Sequence, residues 1–407
     1  MTSFSTARIP EELQSIIRDL APAASELSDT LAAYPETSCM EYRASSMHID
    51  LLRQHGFKTE KGICGFETAF LGRWRRGTGR PVVTLIAEYD ALPVIGHGCG
   101  HNLGGVISSL AASALALWGK FENVEIRVLG TPCEEEGDAK VLMADRGVFS
   151  DTDMVLMIHP SPGFSTTSFR STAYSAREIG FQYPESDQTF SPKSNTSPAE
   201  ALEAFRKILL SSKDKGWPPA VVSSPGVLSD NVSPGRSCLA KECFAFFSAR
   251  RSFLREFLEK AKQEAEEIGA LNRLDPTWAP IGADIDEYLR NEAAERHMKD
   301  IFQSLNVAVD EMPRIHGSAD IGNVSQACPT LHAMLDISGE KLPWHSRDFA
   351  LATTKKKAHE ALQTGATALS TFIIDFIHLQ HLRDAIISAH NSVEPGPAFR
   401  DPCRDRQ

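Results

Sequence analysis

Three short apolar runs in the first half of the chain, residues 81–86, 124–129 and 154–158, each stop at a break rich in Gly, Pro and polar residues. Runs of this length between turn signals read as buried strands. Residues 103–118, between the first two, are apolar or small on nearly every face, which predicts a helix buried against a sheet. That segment is too short and too rich in Gly and Ser for a membrane span. Residues 10–54 read as helical, with Leu13, Ile16, Ile17, Leu20, Leu27 and Leu31 near helical spacing. From residue 171 to 278 the texture changes. It is turn-rich over 183–198, helical near 198–210, irregular, extended around 244–247 and helical near 253–268. A long helix is expected over 350–377, and residues 391–407, with three prolines and scattered charges, should be disordered.

The three strand ends carry the chemistry. The first leads into Ala87-Glu88-Tyr89-Asp90 and then His97-Gly98-Cys99-Gly100-His101-Asn102; the second into Pro132-Cys133-Glu134-Glu135-Glu136-Gly137; the third into His159-Pro160. A Cys-x-His pair on a Gly-containing turn can present sulfur and nitrogen to one cation at roughly 2.0–2.3 Å. Two ligands leave a tetrahedral shell unfilled, so others must come from elsewhere in the chain. In open α/β sheets the carboxyl ends of the strands line the ligand crevice, so the three breaks should converge.

The order AEYDALP, HGCGHN, GTPCEEEG, MIHPSPG, HGSADIGNVS and WHSRDF, within a match running over about residues 16–377, resembles peptidase family M20, the aminoacylase and carboxypeptidase superfamily. Within it the likeness is to the amidohydrolase branch of aminoacylase-1-like protein 2, or peptidase M20 domain-containing protein 2, together with aminobenzoyl-glutamate and auxin-conjugate hydrolases. The resemblance implies an α/β fold: a dinuclear-metal aminopeptidase-like catalytic domain with a central mixed sheet flanked by helices, and an inserted α/β sandwich lid through which relatives dimerise. Its implied bounds are 1–170 and 279–390 for the catalytic domain, 171–278 for the lid and 391–407 for the tail. It also implies a homodimer and two divalent cations, with Cys99 bridging them, His101 and His159 on one, and Glu135 and His345 on the other. Zinc is favoured by the thiolate; manganese or cobalt suits a mixed site. Glu134 matches the general base that takes a proton from the attacking water and returns it to the leaving amine, and Asp90 the carboxylate that orients His101. Asn231, Ser318 and Asp320 match substrate-binding positions. The implied activity is amide hydrolysis of a small N-acyl amino acid, dipeptide or related carboxylate-bearing amide.

Blander roles compete for some of these residues. Glu134-Glu135-Glu136 would suit the exposed start of a helix, and His345 an exposed position before the last long helix; the surrounding motifs favour chemistry for both. Cys39, Cys64, Cys238, Cys243 and Cys328 read as small buried hydrophobes. His97, His316 and His332 fit packing as well as catalysis, and His378 and His381 read as surface residues.

The departures from the family pattern matter. Relatives carry a lid histidine that reaches the substrate across the dimer, whereas here no histidine occurs between His159 and His297. Losing one such donor costs about 10²–10³ in rate, so Tyr183, Lys193, a serine or a backbone donor must substitute, or ordinary peptide hydrolysis is weak. The acid run continues as Gly137-Asp138-Ala139, Ala319 stands where Thr is usual, and the substrate arginine matches either Arg250 or Arg251. A specialised biosynthetic member, acting on an unusual substrate or in the amide-forming direction, is the alternative. A non-catalytic homologue is disfavoured by the retained Glu134.

Composition narrows partners and setting. A net charge of -11 without a Lys/Arg cluster argues against nucleic acid or anionic membrane as a partner. Eight cysteines without regular spacing do not read as a disulfide framework, and with no secretory signal pattern near the start a cytoplasmic protein with reduced thiols is expected.

Overall fold

The computed structural model describes residues 9–136, 139–184, 196–218, 220–230, 239–310 and 317–392. These divide into two compact units. One holds the described residues up to Arg170, those from Tyr288 to residue 310, and those from Asn323 onward; the other holds Ser171–Glu287 and Gly317–Gly322.

The first unit opens with α1 (Glu11–Ala33) and α2 (Tyr42–Gln54). The single helical stretch read over 10–54 is broken because Pro35 drives Tyr34 out of helical geometry, to φ -127° and ψ 65°. Then come β1 (Lys58–Lys61), β2 (Phe70–Arg76), β3 (Val82–Ala87), α3 (His101–Trp118), β4 (Val124–Gly130), α4 (Ala139–Asp145) and β5 (Met154–Ser161).

The second unit contains β6 (Ala173–Gln182), α5 (Pro198–Leu210), β7 (Val221–Asp230), β8 (Leu239–Ser248), α6 (Arg251–Asn272) and β9 (Asp275–Ile285). Its sheet is antiparallel in the order β7-β8-β6-β9. Alternate residues of β8 point inward, and Phe244 and Phe246 meet Phe205 of α5 and Phe257 of α6 at ring separations of 6.0 and 5.9 Å. The result is a two-layer α/β sandwich. A Ser197–Glu200 capping box starts α5. β9 runs on past Pro280, where the sequence places the return to the catalytic domain.

The chain re-enters the first unit through α7 (Glu292–Ser304), α8 (Ile321–Ala327), β10 (Thr330–Asp336), α9 (Arg347–Ala352), α10 (Lys356–His378) and α11 (Gln380–Asn391). The six-stranded sheet has the order β1-β2-β4-β3-β5-β10. β3, β4, β5 and β10 run parallel, and β2 and β1 add antiparallel strands at one edge, so the sheet is mixed. Every residue of β3, β4 and β5 is buried, in keeping with their largely apolar character, and the buried Glu125 and Arg127 of β4 pair with each other at 2.6 Å. α3 packs on β3 and β5 and is covered by α1 and α10, which explains why it is apolar all round. No helix among the described residues is long and apolar enough to cross a membrane.

The topology positions the site. β3 is central, with β4 on one side and β5 on the other, and the chain visits both neighbours in turn. Register aligns Ala87 with Gly130 and Leu85 with Leu156, so the three breaks leave the sheet at one edge. Such a switch point opens a crevice at the carboxyl ends of the strands.

Candidate active site

The turn after β3 delivers the first donors. Gly100 caps α3 at φ 84°, a left-handed conformation suited to glycine, and a Cβ there would lie 2.7 Å from Pro160. His101 thereby becomes the first residue of α3 and is fully buried. Its Nδ1 lies 2.9 Å from Asp90 Oδ1 and 3.1 Å from the Asp90 carbonyl. Its Nε2 has no hydrogen-bond partner and faces Glu88 Oε2 at 3.5 Å and Glu134 Oε2 at 3.6 Å. Cys99 Sγ lies 3.5 Å from His159 Nε2. His159 Nδ1 donates to the Pro160 carbonyl at 2.6 Å, which leaves Nε2 as the free lone pair.

The turn after β4 brings the acids. The Glu135 N–H donates to Asp90 Oδ2 at 3.0 Å. Glu135 Oε2 is 3.7 Å from His345 Nε2, and Oε1 is buried without a hydrogen-bond partner. His345, at φ 54°, donates its N–H to the Gly98 carbonyl and keeps a ring that is 54 % exposed.

Electrostatics match a cation-binding pocket. Burial holds the His159 imidazole down to about 4, so it is a neutral donor at neutral pH. Burial pushes the Cys99 thiol up, a cost that a bound cation would reverse. Burial would also raise Asp90, but the neighbouring His101, with hydrogen bonds from His101, Glu135 and Ser38, outweighs it and holds the carboxyl below its usual range.

The donor set fits metal. Ligand atoms of Cys99, His101 and His159 lie within 4.8 Å of one another, as do those of Cys99, Glu135 and His345, and those of His101, Glu134 and Glu135. Cys99 belongs to both of the first two sets. Leaving His101 Nε2 and Glu135 Oε1 buried and unsatisfied would cost about 1–3 kcal/mol each, so the pocket is built for a further partner.

Ser318 is half-buried and Asp320 buried in the short Gly317–Gly322 segment of the second unit, just before and at the entry to α8. Arg251 is buried and pairs with Asp286 at 2.8 Å, whereas Arg250 is exposed. Tyr183 is buried. Asn231, Lys193 and His316 lie outside the described residues, as does most of the expected tail. His97 and His332 are buried and held by burial to about 3; the His332 ring stands 5.6 Å from that of His159.

Sequence reading missed several residues here. Lys140, fully buried, places Nζ 2.7 Å from Glu88 Oε1. Ser38 Oγ donates to Asp90 Oδ2 at 2.7 Å, and the buried Glu41 takes backbone donors from Cys39 and Cys133.

The thiols also need correction. Cys39, read as a small buried hydrophobe, is exposed and joined to Cys133 by a disulfide, so the expectation of reduced thiols fails for this pair. A sequence separation of 94 concealed the pairing; the two turns meet only because both flank the same strand end. Cys328 is buried as expected, Cys64 and Cys243 are half-buried, and Cys238 lies outside the described residues.

Thiol, imidazole and carboxylate donors gathered at the switch point of a mixed sheet make this a metal-dependent hydrolase of the α/β class. No protein-family model matches the chain. It is 26% identical to the Xaa-Arg dipeptidase of Homo sapiens, over 91% of this chain and 89% of that protein. It is 32% identical to a p-aminobenzoyl-glutamate hydrolase chain of Escherichia coli strain K12, over 33% of this chain and 32% of that one. Among solved structures, a dinuclear metal binding peptidase from the M20 family of Bacillus subtilis superposes with a TM-score of 0.68 at 15% identity, covering 92% of this chain and 99% of that one. The chain is thus similar in sequence to a dipeptidase and an aminobenzoyl-glutamate hydrolase and shares the fold of an M20 peptidase, and it is an enzyme, a metal-dependent peptidase or amidohydrolase.

Proposed function

We propose that the chain hydrolyses the amide bond of a small N-acyl amino acid, dipeptide or related carboxylate-bearing amide. The observation that carries this reading is the sharing of Cys99 by two donor sets, with Glu134 beside them and outside both. One divalent cation, preferably zinc, would be held by Cys99, His101 and His159, and a second by Cys99, Glu135 and His345. When bound, the pair would acidify a water and polarise the amide carbonyl. Glu134, whose side chain keeps 18 % exposure, accepts the proton of the attacking water on its carboxylate and returns it to the leaving amine. Asp90 fixes the His101 ring by holding its Nδ1. Ser318, Asp320 and Asn231 are assigned to the substrate, and the second unit to a homodimer contact. A cytoplasmic site of action belongs to the proposal; the Cys39–Cys133 bond must then be one that cellular thiols can open.

One observation favours the second reading. The stretch between His159 and His297 lacks the histidine expected of the lid, which suits an unusual substrate or the amide-forming direction. The test is hydrolysis by the metal-reconstituted full chain across N-acyl amino acids, Xaa-Arg dipeptides and p-aminobenzoyl-glutamate, with Glu134→Gln alongside. Turnover that falls at least about 10²-fold in the variant, with metal content retained, is expected. Two bound metal equivalents with no cleavage anywhere in the panel would shift the assignment to the second reading.

A further inference from the structure

Residues 38–41, in the break between α1 and α2, are tied to the paired-acid turn by three links that the reaction does not use. Cys39 is bonded to Cys133, the residue before Glu134. Glu41 Oε1 accepts the N–H of Cys39 at 2.7 Å and of Cys133 at 2.8 Å, while Oε2 accepts from Thr68 Oγ1 at 2.8 Å. Ser38 Oγ donates to the same Asp90 oxygen that takes the Glu135 N–H. The residues on either side of Glu134 are therefore both held, one directly and one through Asp90. Cys39 and Cys133 sit at φ 64° and 60°, a left-handed conformation that non-glycine residues keep only where their surroundings impose it. Glu41 and Cys133 are fully buried, but Cys39 is an exposed residue, so the bond lies at the surface on its Cys39 side.

We propose that the Cys39–Cys133 disulfide, seated on the Glu41 carboxylate, is a redox-opened clamp that positions Glu134 and Glu135. Closed, it holds the paired-acid turn against the other donors; opened, the turn loosens and the cation set that uses Glu135 weakens. The inference rests on the metal-hydrolase reading above. The opening reagent is a dithiol. Its thiolate attacks Cys39 Sγ, the S–S bond breaks and Cys133 leaves as a thiolate that takes up a proton. The second thiol of the reagent, as thiolate, then displaces Cys39, which is protonated in turn. Two electrons and two protons pass to the protein, and the reagent becomes a cyclic disulfide. Cys39, Cys133 and Glu41 are positioning residues, since none touches the reacting atoms.

The test uses the full chain, stripped of metal, in closed and opened forms. The opened form is prepared with a phosphine reductant that is then removed, and both forms are checked by thiol counting. Each is titrated with Zn²⁺ by calorimetry. Two equivalents are expected in the closed form. In the opened form one should persist and the other weaken about tenfold or more, kcat should fall with little change in KM, and reoxidation should restore both. Cys39→Ser should be fixed in the weakened state and insensitive to reductant. Glu41→Gln, with the disulfide intact, should weaken the same equivalent, and it carries the test if Cys39→Ser does not fold. Equal binding of both equivalents in closed and opened forms overturns the clamp alone, as does a freshly isolated chain in which all eight cysteines titrate as thiols. Failure of either form to bind Zn²⁺ overturns the hydrolase reading and the clamp with it.

Discussion

His101 shows how much of the site depends on one orienting contact. Its buried Nδ1 meets Asp90, and the Asp90 carboxylate also takes the Glu135 N–H and the Ser38 hydroxyl, so one acid aligns donors from two different strand ends. Asp90→Asn keeps the shape but removes the charge and sets an NH2 donor either against the His101 Nδ1–H or against the Glu135 N–H and Ser38 hydroxyl. Metal affinity should fall roughly 10- to 100-fold, measured by competition with a chromophoric chelator, while the circular dichroism spectrum stays unchanged. Unchanged affinity would mean that the ring is held by packing alone. That Cys99, His101, Glu134, Glu135, His159 and His345 come together could be expected from the sequence, because each sits in a short break whose residue types have few other uses together. Ser38, Glu41 and Lys140 were not. Each acts through one hydrogen bond or ion pair to a residue far along the chain, and such a contact leaves no local pattern.

At the scale of elements, the packing of α3 against the end of β3 decides where Cys99 and His101 point. Gly105 is the contact point: a Cβ there would lie 2.3 Å from the Glu88 carbonyl and 3.2 Å from the His48 ring. Gly105→Ala should cost about 1–3 kcal/mol of stability through overpacking and weaken metal binding as α3 moves outward, checked by chemical denaturation and metal titration of the same variant. A stable variant with normal affinity would show that the helix has slack. The strands β3, β4 and β5 could be read from sequence because a strand buried on both faces is mostly apolar; in β4 the two charged residues, Glu125 and Arg127, neutralise each other. β9 could not: it is mostly exposed and half-exposed, shows no alternation and is held by its ladder to β6. β6 mixes Arg177 and Glu178 into its run; Arg177 forms a bidentate pair with Asp284, an arrangement that pattern reading scores as loop. The break between α1 and α2 was missed for a different reason: the apolar spacing ends at Leu31, and the effect of Pro35 just beyond it is local.

For the whole molecule, buried neutral histidines set the acid limit of stability. Burial holds His48 down to about 4 and His332 to about 3, against an ordinary value near 6.5 in the unfolded chain. Between those limits the unfolded state binds the extra protons, so stability rises with pH and is lost as pH falls below about 6.5, by up to about 1.4 kcal/mol per pH unit for each group. His48 touches no proposed ligand; its Nδ1 meets Ser109 Oγ at 2.8 Å. His48→Gln should therefore flatten the pH dependence of denaturant midpoints between pH 6 and about 4.5 by close to one proton's worth, even if it lowers stability at pH 7. An unchanged slope would place that titration elsewhere.

The most direct measurement is a Co²⁺ titration of the metal-free, disulfide-closed chain, followed by absorption and repeated on Cys99→Ser. Two equivalents with a sulfur-to-cobalt charge-transfer band that is present with both ions and lost in the variant are expected from a thiolate shared by the two donor sets. Binding of a single ion, or of two ions without a band that depends on Cys99, would contradict the shared-thiolate centre on which the proposed function stands.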